Sequence, residues 1–142
     1  MSEQSQKVAL VTGASAGIGA AIAARLARDG FQVVVNYAGN AASAEALVRD
    51  IEKAGGRAAS ARADVSDPAA VARLFDTAER AFGGVDVLVN NAGVMLLAPI
   101  ADSDDALFDR LIAVNLKGAF NTLRKRRGAC ASAAGSSTSR RA

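Results

Sequence analysis

The apolar positions of the chain change their period repeatedly. Lys7–Thr12 (KVALVT) is a short run of β-favouring residues that stops at Gly13, and Phe31–Tyr37 (FQVVVNY) is a second. Between them Ile18, Ile22 and Leu26 recur at helical spacing, a stripe closed by Gly30. Ala41–Ala54, with Leu47, Val48 and Ile51, predicts a second helix ended by Gly55 and Gly56. A weak third strand is expected over Arg57–Ala63. Asp67 then caps a third helix with Pro68 at its first position, and Val71, Leu74, Phe75, Ala78 and Phe82 form its apolar face. The segment VDVLVNNAG from Val85 to Gly93 opens as a fourth strand, nearly all apolar, as expected of a sheet covered on both faces. Ser103 and the acids around it open a fourth helix carrying Phe108, Leu111, Ile112, Leu116, Phe120 and Leu123.

Strands alternating with helices of this length imply β-α-β crossovers, hence a parallel sheet in an α/β fold. At 142 residues, 51% hydrophobic and 22% charged, one globular domain is expected. Apolar runs such as Val94–Ile100 are far shorter than the roughly 18 residues that span a bilayer, and MSEQSQK has no signal-peptide character, so a cytoplasmic chain with no membrane partner is expected. Cys130 is the one cysteine and there is no histidine, which excludes an internal disulfide, His-based metal sites and Ser-His-Asp catalysis.

The net charge of +3 points towards nucleic acid only until it is divided along the chain. Residues 1–124 carry 12 Lys and Arg against 14 Asp and Glu, whereas residues 125–142 carry five Lys and Arg and no acid. The basic character belongs to the tail, and no nucleic-acid partner is expected.

Chemistry concentrates after the first strand. Thr12-Gly13-Ala14-Ser15-Ala16-Gly17-Ile18-Gly19 lies between that strand and the first helix. Glycine permits turns that other residues resist, and Gly17 and Gly19 leave room for a pyrophosphate at the positive N-terminus of the helix. A tight turn with no ligand is the alternative, and the position in the first β-α turn of an α/β chain weighs against it.

At this point the sequence resembles the short-chain dehydrogenase/reductase family. TGASAGIG at 12–19 matches its glycine motif, Asn90-Asn91-Ala92-Gly93 its Asn-Asn-Ala-Gly motif, Asp64-Val65 its adenine-contacting pair, and Asn115 in AVNLKG its helix asparagine. The resemblance covers residues 7–124 and is strongest to members similar to beta-ketoacyl-ACP reductases. It implies a Rossmann-like doubly wound sheet, here its first half in the order 3-2-1-4, with the fourth strand as an open edge. It implies NAD(P)(H)-dependent carbonyl or alcohol oxidoreduction and a homo-oligomeric parent enzyme. Cofactor contacts then fall on Gly13, Ser15, Ala16, Gly17, Ile18, Gly19, Asn36, Tyr37, Asp64, Val65, Asn91, Ala92 and Gly93, with Asn115 as the one catalytic-set residue.

Each of these residues also has a plainer reading: a simple turn at Asn91–Gly93, helix capping by Asp64, an exposed polar residue at Asn115. NADP is expected over NAD because Asn36 and Tyr37 end the second strand without the acid that would hold a ribose 2′-hydroxyl. Ala16 stands where many NADP-using relatives carry arginine, and no Lys or Arg lies between Tyr37 and Ser43.

The family's proton transfer uses a tyrosine, a lysine four residues later and a serine. Tyr37 is the only tyrosine here and Ala41 follows it at that spacing, so the chain contains no Tyr-x-x-x-Lys. By resemblance the fifth to seventh strands and the substrate region are missing as well. Residues 125–142 contain no Val, Ile, Leu or Phe, where the family requires an apolar strand. Codons chosen for this tail, read with one nucleotide restored before Lys125, give E-A-A-R-R-V-R-V-G-G-R-I-I-N-F-S-T-S-V, a glycine turn, a strand and a serine-bearing segment. The expectation is therefore a dinucleotide-binding domain over 1–124 and an out-of-frame, disordered and dispensable tail over 125–142, a basic arm being the alternative. An aggregation-prone edge and partly exposed Phe108, Leu111, Ile112 and Phe120 follow from the same reading.

Overall fold

The computed structural model describes residues 6–135, with side chains through Arg126. Four parallel strands, β1 (Val8–Val11), β2 (Gln32–Tyr37), β3 (Arg57–Arg62) and β4 (Val87–Val89), lie in the order β3-β2-β1-β4. Helices α1 (Gly17–Arg28), α2 (Ala41–Lys53) and α3 (Pro68–Phe82) connect them. Beyond β4 come a short 3-10 turn at Ile100–Asp102, α4 (Asp105–Ile112), a π segment at Ala113–Lys117 and α5 (Gly118–Gly135). No helix among the described residues is long and apolar enough to cross a membrane.

The sheet separates two cores. Val33, Val35, Val11 and Ala58 pack with Ala23, Ala44 and Ile51 of α1 and α2 on one face. Leu10, Val34 and Ala61 pack with Val71, Leu74, Phe75 and Ala78 of α3 on the other. Crossovers from β1 therefore run to one side and the return to β4 to the other. The direction reverses between β1 and β4, and at such a switch point a crevice opens beyond the carboxyl ends of the strands.

Local chemistry sets the boundaries. Asp67 accepts from the Ala69 amide at 2.9 Å and Pro68 opens α3, as the sequence predicts. α3 ends at Gly83, whose φ of 87° suits glycine alone among common residues.

Three expectations need correction. α1 buries Gly19 and Ala23 most deeply, because the glycine side must lie against the first loop; Ile22 and Leu26 of the predicted stripe pack half-buried against the same core, and Ile18, 74% exposed, falls outside it. β4 is only three residues long and half-buried, since it has β1 as its single neighbour. Asp104, one of the acids beside Ser103, caps the fourth helix: its side chain accepts from the Leu107 amide at 2.8 Å. That helix is also divided by the π segment.

The compositional break at Arg124 is not a break in the backbone, because α5 continues to Gly135. Lys, Arg and Ala are all good helix formers, and the helix runs on through the single interior Gly128 to Gly135. Arg126 donates to the Asp86 carbonyl at 2.6 Å. Cys130 and the rest of the tail side chains, like the whole of 136–142, lie outside the described residues.

Phe108, Ile112, Leu116, Phe120 and Leu123 are all exposed along α4, the π segment and α5, while Leu111 is half-buried. The expected apolar surface on this side of the open edge is present.

Candidate functional site

The N-terminus of α1 differs from those of its neighbours. Asn40, Asp67 and Asp104 cap α2, α3 and α4 through their side chains, but Ala16 offers α1 no side-chain acceptor. The first N–H groups of α1 are left with their partial positive charge turned towards the β1/β4 crevice. Gly17 has φ of 59°, and a Cβ built on it meets nothing within 4 Å. Its lack of a side chain leaves space rather than filling it. An uncapped helix end behind an unobstructed glycine fits a pyrophosphate.

Gly13 and Gly19 have a different task. A Cβ on Gly13, which has φ of 62°, would lie 2.8 Å from the Ala92 Cα; one on Gly19 would lie 2.5 Å from both Asn91 Nδ2 and the Gly13 carbonyl. These two glycines let the first loop press against the Asn91-Ala92-Gly93 turn. Ser15 is half-buried, while Ala16 and Ile18 are exposed on the rim.

Thr12 binds the two motifs together. It is 1% exposed, and its Oγ1 accepts from the Asn91 and Ala92 amides, both at 3.0 Å, while donating to the Val89 carbonyl at 3.3 Å. Asn91 Nδ2 returns the contact to the carbonyls of Thr12 and Gly13, at 3.1 and 3.0 Å. The Asn91–Gly93 segment is thus more than a plain turn: it is fastened to the glycine loop.

Asn36 is buried rather than facing the crevice. Its Oδ1 accepts from the Gly13 amide at 3.2 Å and its Nδ2 donates to the Ala61 and Ala63 carbonyls, both at 3.2 Å. It holds the loop against β2 and β3 and has no group left for a ribose. Tyr37, half-buried against the α1–α2 core, ends β2 beside Arg62 of β3.

Asp64 follows β3, and its Oδ1 accepts from the Ser66 hydroxyl at 2.6 Å and the Ser66 amide at 2.9 Å. Oδ2 lies 3.4 Å from Arg110 Nη1 of α4. The Ser66 hydroxyl, with help from the Ser66 amide and Arg110, holds this carboxyl below its ordinary range, against the opposing effect of burial. The helix cap is Asp67, so Asp64 is not committed to α3. Val65 is buried, and its carbonyl accepts from Asn121 Nδ2 at 2.9 Å.

Asn115 sits in the π segment, exposed yet fully engaged. Its Oδ1 accepts from the Val94 amide and its Nδ2 donates to the Val94 carbonyl, both at 2.8 Å. A Cβ on Gly93 would lie 3.2 Å from that Oδ1. The asparagine side chain pairs with the backbone of the segment after β4 through both Val94 groups. π segments of this kind recur at functional positions, where one extra residue re-aims a side chain.

The sequence reading overlooked Gly118, Asn121 and Thr122, and quoted Thr12 only as the start of the glycine motif, with no role of its own. A Cβ on Gly118 would lie 2.6 Å from Val65 Cγ2, and the buried Thr122 hydroxyl donates to Asn90 Oδ1 at 2.6 Å. The available signal was the polar pair Asn121-Thr122 next to apolar Phe120. Among the described residues no group of three or more Asp, Glu or Cys is placed to hold a metal ion.

The profile of the short chain dehydrogenase family matches residues 7–131, continuing past Arg124. Versicolorin reductase of Emericella nidulans is 46% identical over 119 residues, which are 84% of this chain and 45% of that protein. An uncharacterized oxidoreductase of Methylorubrum extorquens is 49% identical over 118 residues, covering 83% of this chain and 48% of its own. Among solved structures, a short chain dehydrogenase from Mycobacterium avium superposes with a TM-score of 0.88 at 38% identity, over 92% of this chain and 50% of that one. A blue fluorescent protein from a metagenomic library, solved in complex with NADPH, superposes with a TM-score of 0.80 at 41% identity, over 86% and 50%. The chain spans about half the length of the curated relatives it matches. With a glycine loop, an Asn-Asn-Ala-Gly turn and a helix asparagine fastened around one switch point, it belongs to the short-chain dehydrogenase family.

Proposed function

We propose that this chain binds a nicotinamide adenine dinucleotide as the cofactor-binding half of a carbonyl or alcohol oxidoreductase, with NADP preferred over NAD. The uncapped N-terminus of α1 behind Gly17 carries the reading. On it, Gly13, Ser15, Ala16, Gly17, Ile18 and Gly19 surround the pyrophosphate, and Asn91, Ala92 and Gly93 lie along the nicotinamide-side ribose. Asp64 and Val65 meet the adenine. Tyr37 receives the adenosine ribose, with Asn36 fixing the loop from behind. Asn115 is a positioning residue that holds Val94 and so the wall of the crevice.

When bound, the dinucleotide supplies hydride to a carbonyl carbon or takes it from an alcohol. This chain's residues bind and orient it. They offer no proton donor: Tyr37 lies at the end of β2, away from the β1/β4 crevice, and Asn115 does not titrate. We propose that the 142 residues alone turn over no substrate. The neutral end of β2 supports NADP, as does the relative solved with NADPH.

The same reading assigns residues 125–142 to a shifted frame, supported by their lack of Val, Ile, Leu and Phe, and tested by the DNA around codon 124. It also makes the exposed face of α4 and α5 the surface covered by a second subunit in the parent enzyme. A reducing, cytoplasmic setting fits a chain with one cysteine. The decisive experiment is fluorescence titration of NADPH with the purified chain. Saturable binding without NADPH oxidation on addition of a ketone is expected; oxidation proportional to protein concentration would overturn the assignment of inactivity.

A further inference from the structure

Resting on the dinucleotide reading above, we infer that Arg62 supplies the cation for the 2′-phosphate of NADP, from the strand beside the one that ends at the adenosine ribose. The two positions where the sequence would place that charge are empty of it: the glycine loop has Ala16, and the β2–α2 connection is Ala38-Gly39-Asn40. Arg62 is the register partner of Tyr37 at the end of β3. Its Nε donates to the Ala38 carbonyl at 3.2 Å, which places the guanidinium directly beside that connection.

The alternation along β3 agrees with this placement. Ala61 and Ala63 belong to the core on the α3 side and Ala58 to the core on the α2 side, so Arg62 shares the α2 face with Ala58. One of the five guanidinium N–H groups is used by Ala38, and both terminal nitrogens remain for a planar, bidentate contact with phosphate oxygens. None of the three ion pairs among the described residues involves Arg62. Gly39 meets nothing within 4 Å of where a Cβ would stand, so the connection leaves room for a phosphate. Arg73 and Arg80 of α3 line the same edge groove as Arg62, with Asp76 the acid among its lining residues; Arg73 is paired with Asp67 at 4.0 Å, which leaves Arg80 as the cation that adds to the local positive potential.

The test compares adenosine 2′,5′-bisphosphate with adenosine 5′-monophosphate, titrated into the full chain and its variants by isothermal calorimetry. The two probes share the adenine and the 5′-phosphate, so their affinity ratio isolates the 2′-phosphate. Arg62→Ala is expected to lower that ratio about fivefold to tenfold, the scale of one exposed charge-assisted contact, with monophosphate affinity unchanged. Arg62→Lys should retain part of the preference and Arg62→Glu should abolish it. Arg80→Ala removes the same charge at a greater distance along the groove and should leave the ratio within about twofold, given screening over a Debye length.

An unchanged ratio in Arg62→Ala, an equal loss for both probes, or an equal fall in Arg80→Ala would overturn the role of Arg62 while leaving dinucleotide binding intact. A wild-type chain that binds the monophosphate with no 2′-phosphate preference would do the same. A wild-type chain that binds neither probe would overturn the dinucleotide reading itself, and this inference with it.

Discussion

Replacing Thr12 by valine should detach the glycine loop from the turn after β4. Valine has nearly the shape of threonine, so the buried site keeps its packing and loses only the hydroxyl. That oxygen is the acceptor for the Asn91 and Ala92 amides, both at 3.0 Å, in a position 1% exposed. Each amide stranded behind a methyl group costs roughly 1–3 kcal/mol, and the partial burial of Asn91 and Ala92 lets water recover some of it, so the expected net loss is about 2 kcal/mol. For a domain of this size that corresponds to about 6–10 °C in melting temperature. Thr12→Ser is the control: it keeps the acceptor and removes one methyl group, for about 1 kcal/mol or less. Urea denaturation followed by circular dichroism, alongside thermal melting, gives both values. A Thr12→Val chain as stable as wild type, or a Thr12→Ser chain as unstable as Thr12→Val, would refute the assignment of the hydroxyl as the link between the motifs.

Asn115→Ala should cost about 1 kcal/mol by releasing the Val94 amide and carbonyl to water, and should accelerate hydrogen exchange of the Val94 amide; unchanged protection there would count against the pairing. Ser66→Ala should move the Asp64 carboxyl upward towards its ordinary value, followed by carboxyl-carbon NMR, because the Ser66 hydroxyl is the largest cause of its lowering. Since the folded-state value is depressed, Asp64 contributes stability above its ordinary value near 4 and loses it as pH falls through the lower folded value. With that side chain 42% exposed the contribution is well under about 1 kcal/mol, and wild type and Ser66→Ala should converge in stability in strong acid. NADPH and a generic ketone should give no oxidation with the purified chain, since loss of a positioned proton donor alone removes about 10²–10⁴-fold; activity lost in Asn115→Leu would mean the active site has been misplaced.

The α/β class was legible because the period switches from strand to helix are clean in Lys7–Thr12, Phe31–Tyr37 and Val71–Phe82, whereas the strand order came from the resemblance to the family. The α3 cap was legible from Asp67-Pro68 alone. The exposure of Ile18 was not, because it continues the apolar stripe of Ile22 and Leu26 while the packing at the start of α1 is decided by Gly19, whose contact lies more than seventy residues away at Asn91. Asn115 stood out as a poor helix former in mid-helix, but its partner Val94 and the π segment depend on a pairing between elements that no local pattern encodes.

Asn36 is the converse case. The resemblance puts it among the cofactor contacts, and only the fold reveals that Gly13, Ala61 and Ala63 take up its amide. The helix running on through the tail to Gly135 was hidden because the abrupt loss of large apolar residues removes the amphipathic signal without removing helix propensity.

Dinucleotide binding at the uncapped end of α1 can be followed by titrating NADPH into isotope-labelled protein and recording backbone amide shifts. Saturable shifts are expected at Gly13–Gly19, at Asp64-Val65 and at Asn91–Gly93, all abolished in Gly17→Val, whose side chain fills the open space and resists a φ of 59°. Shifts confined to other surfaces, or the same pattern surviving in Gly17→Val, would overturn this binding site.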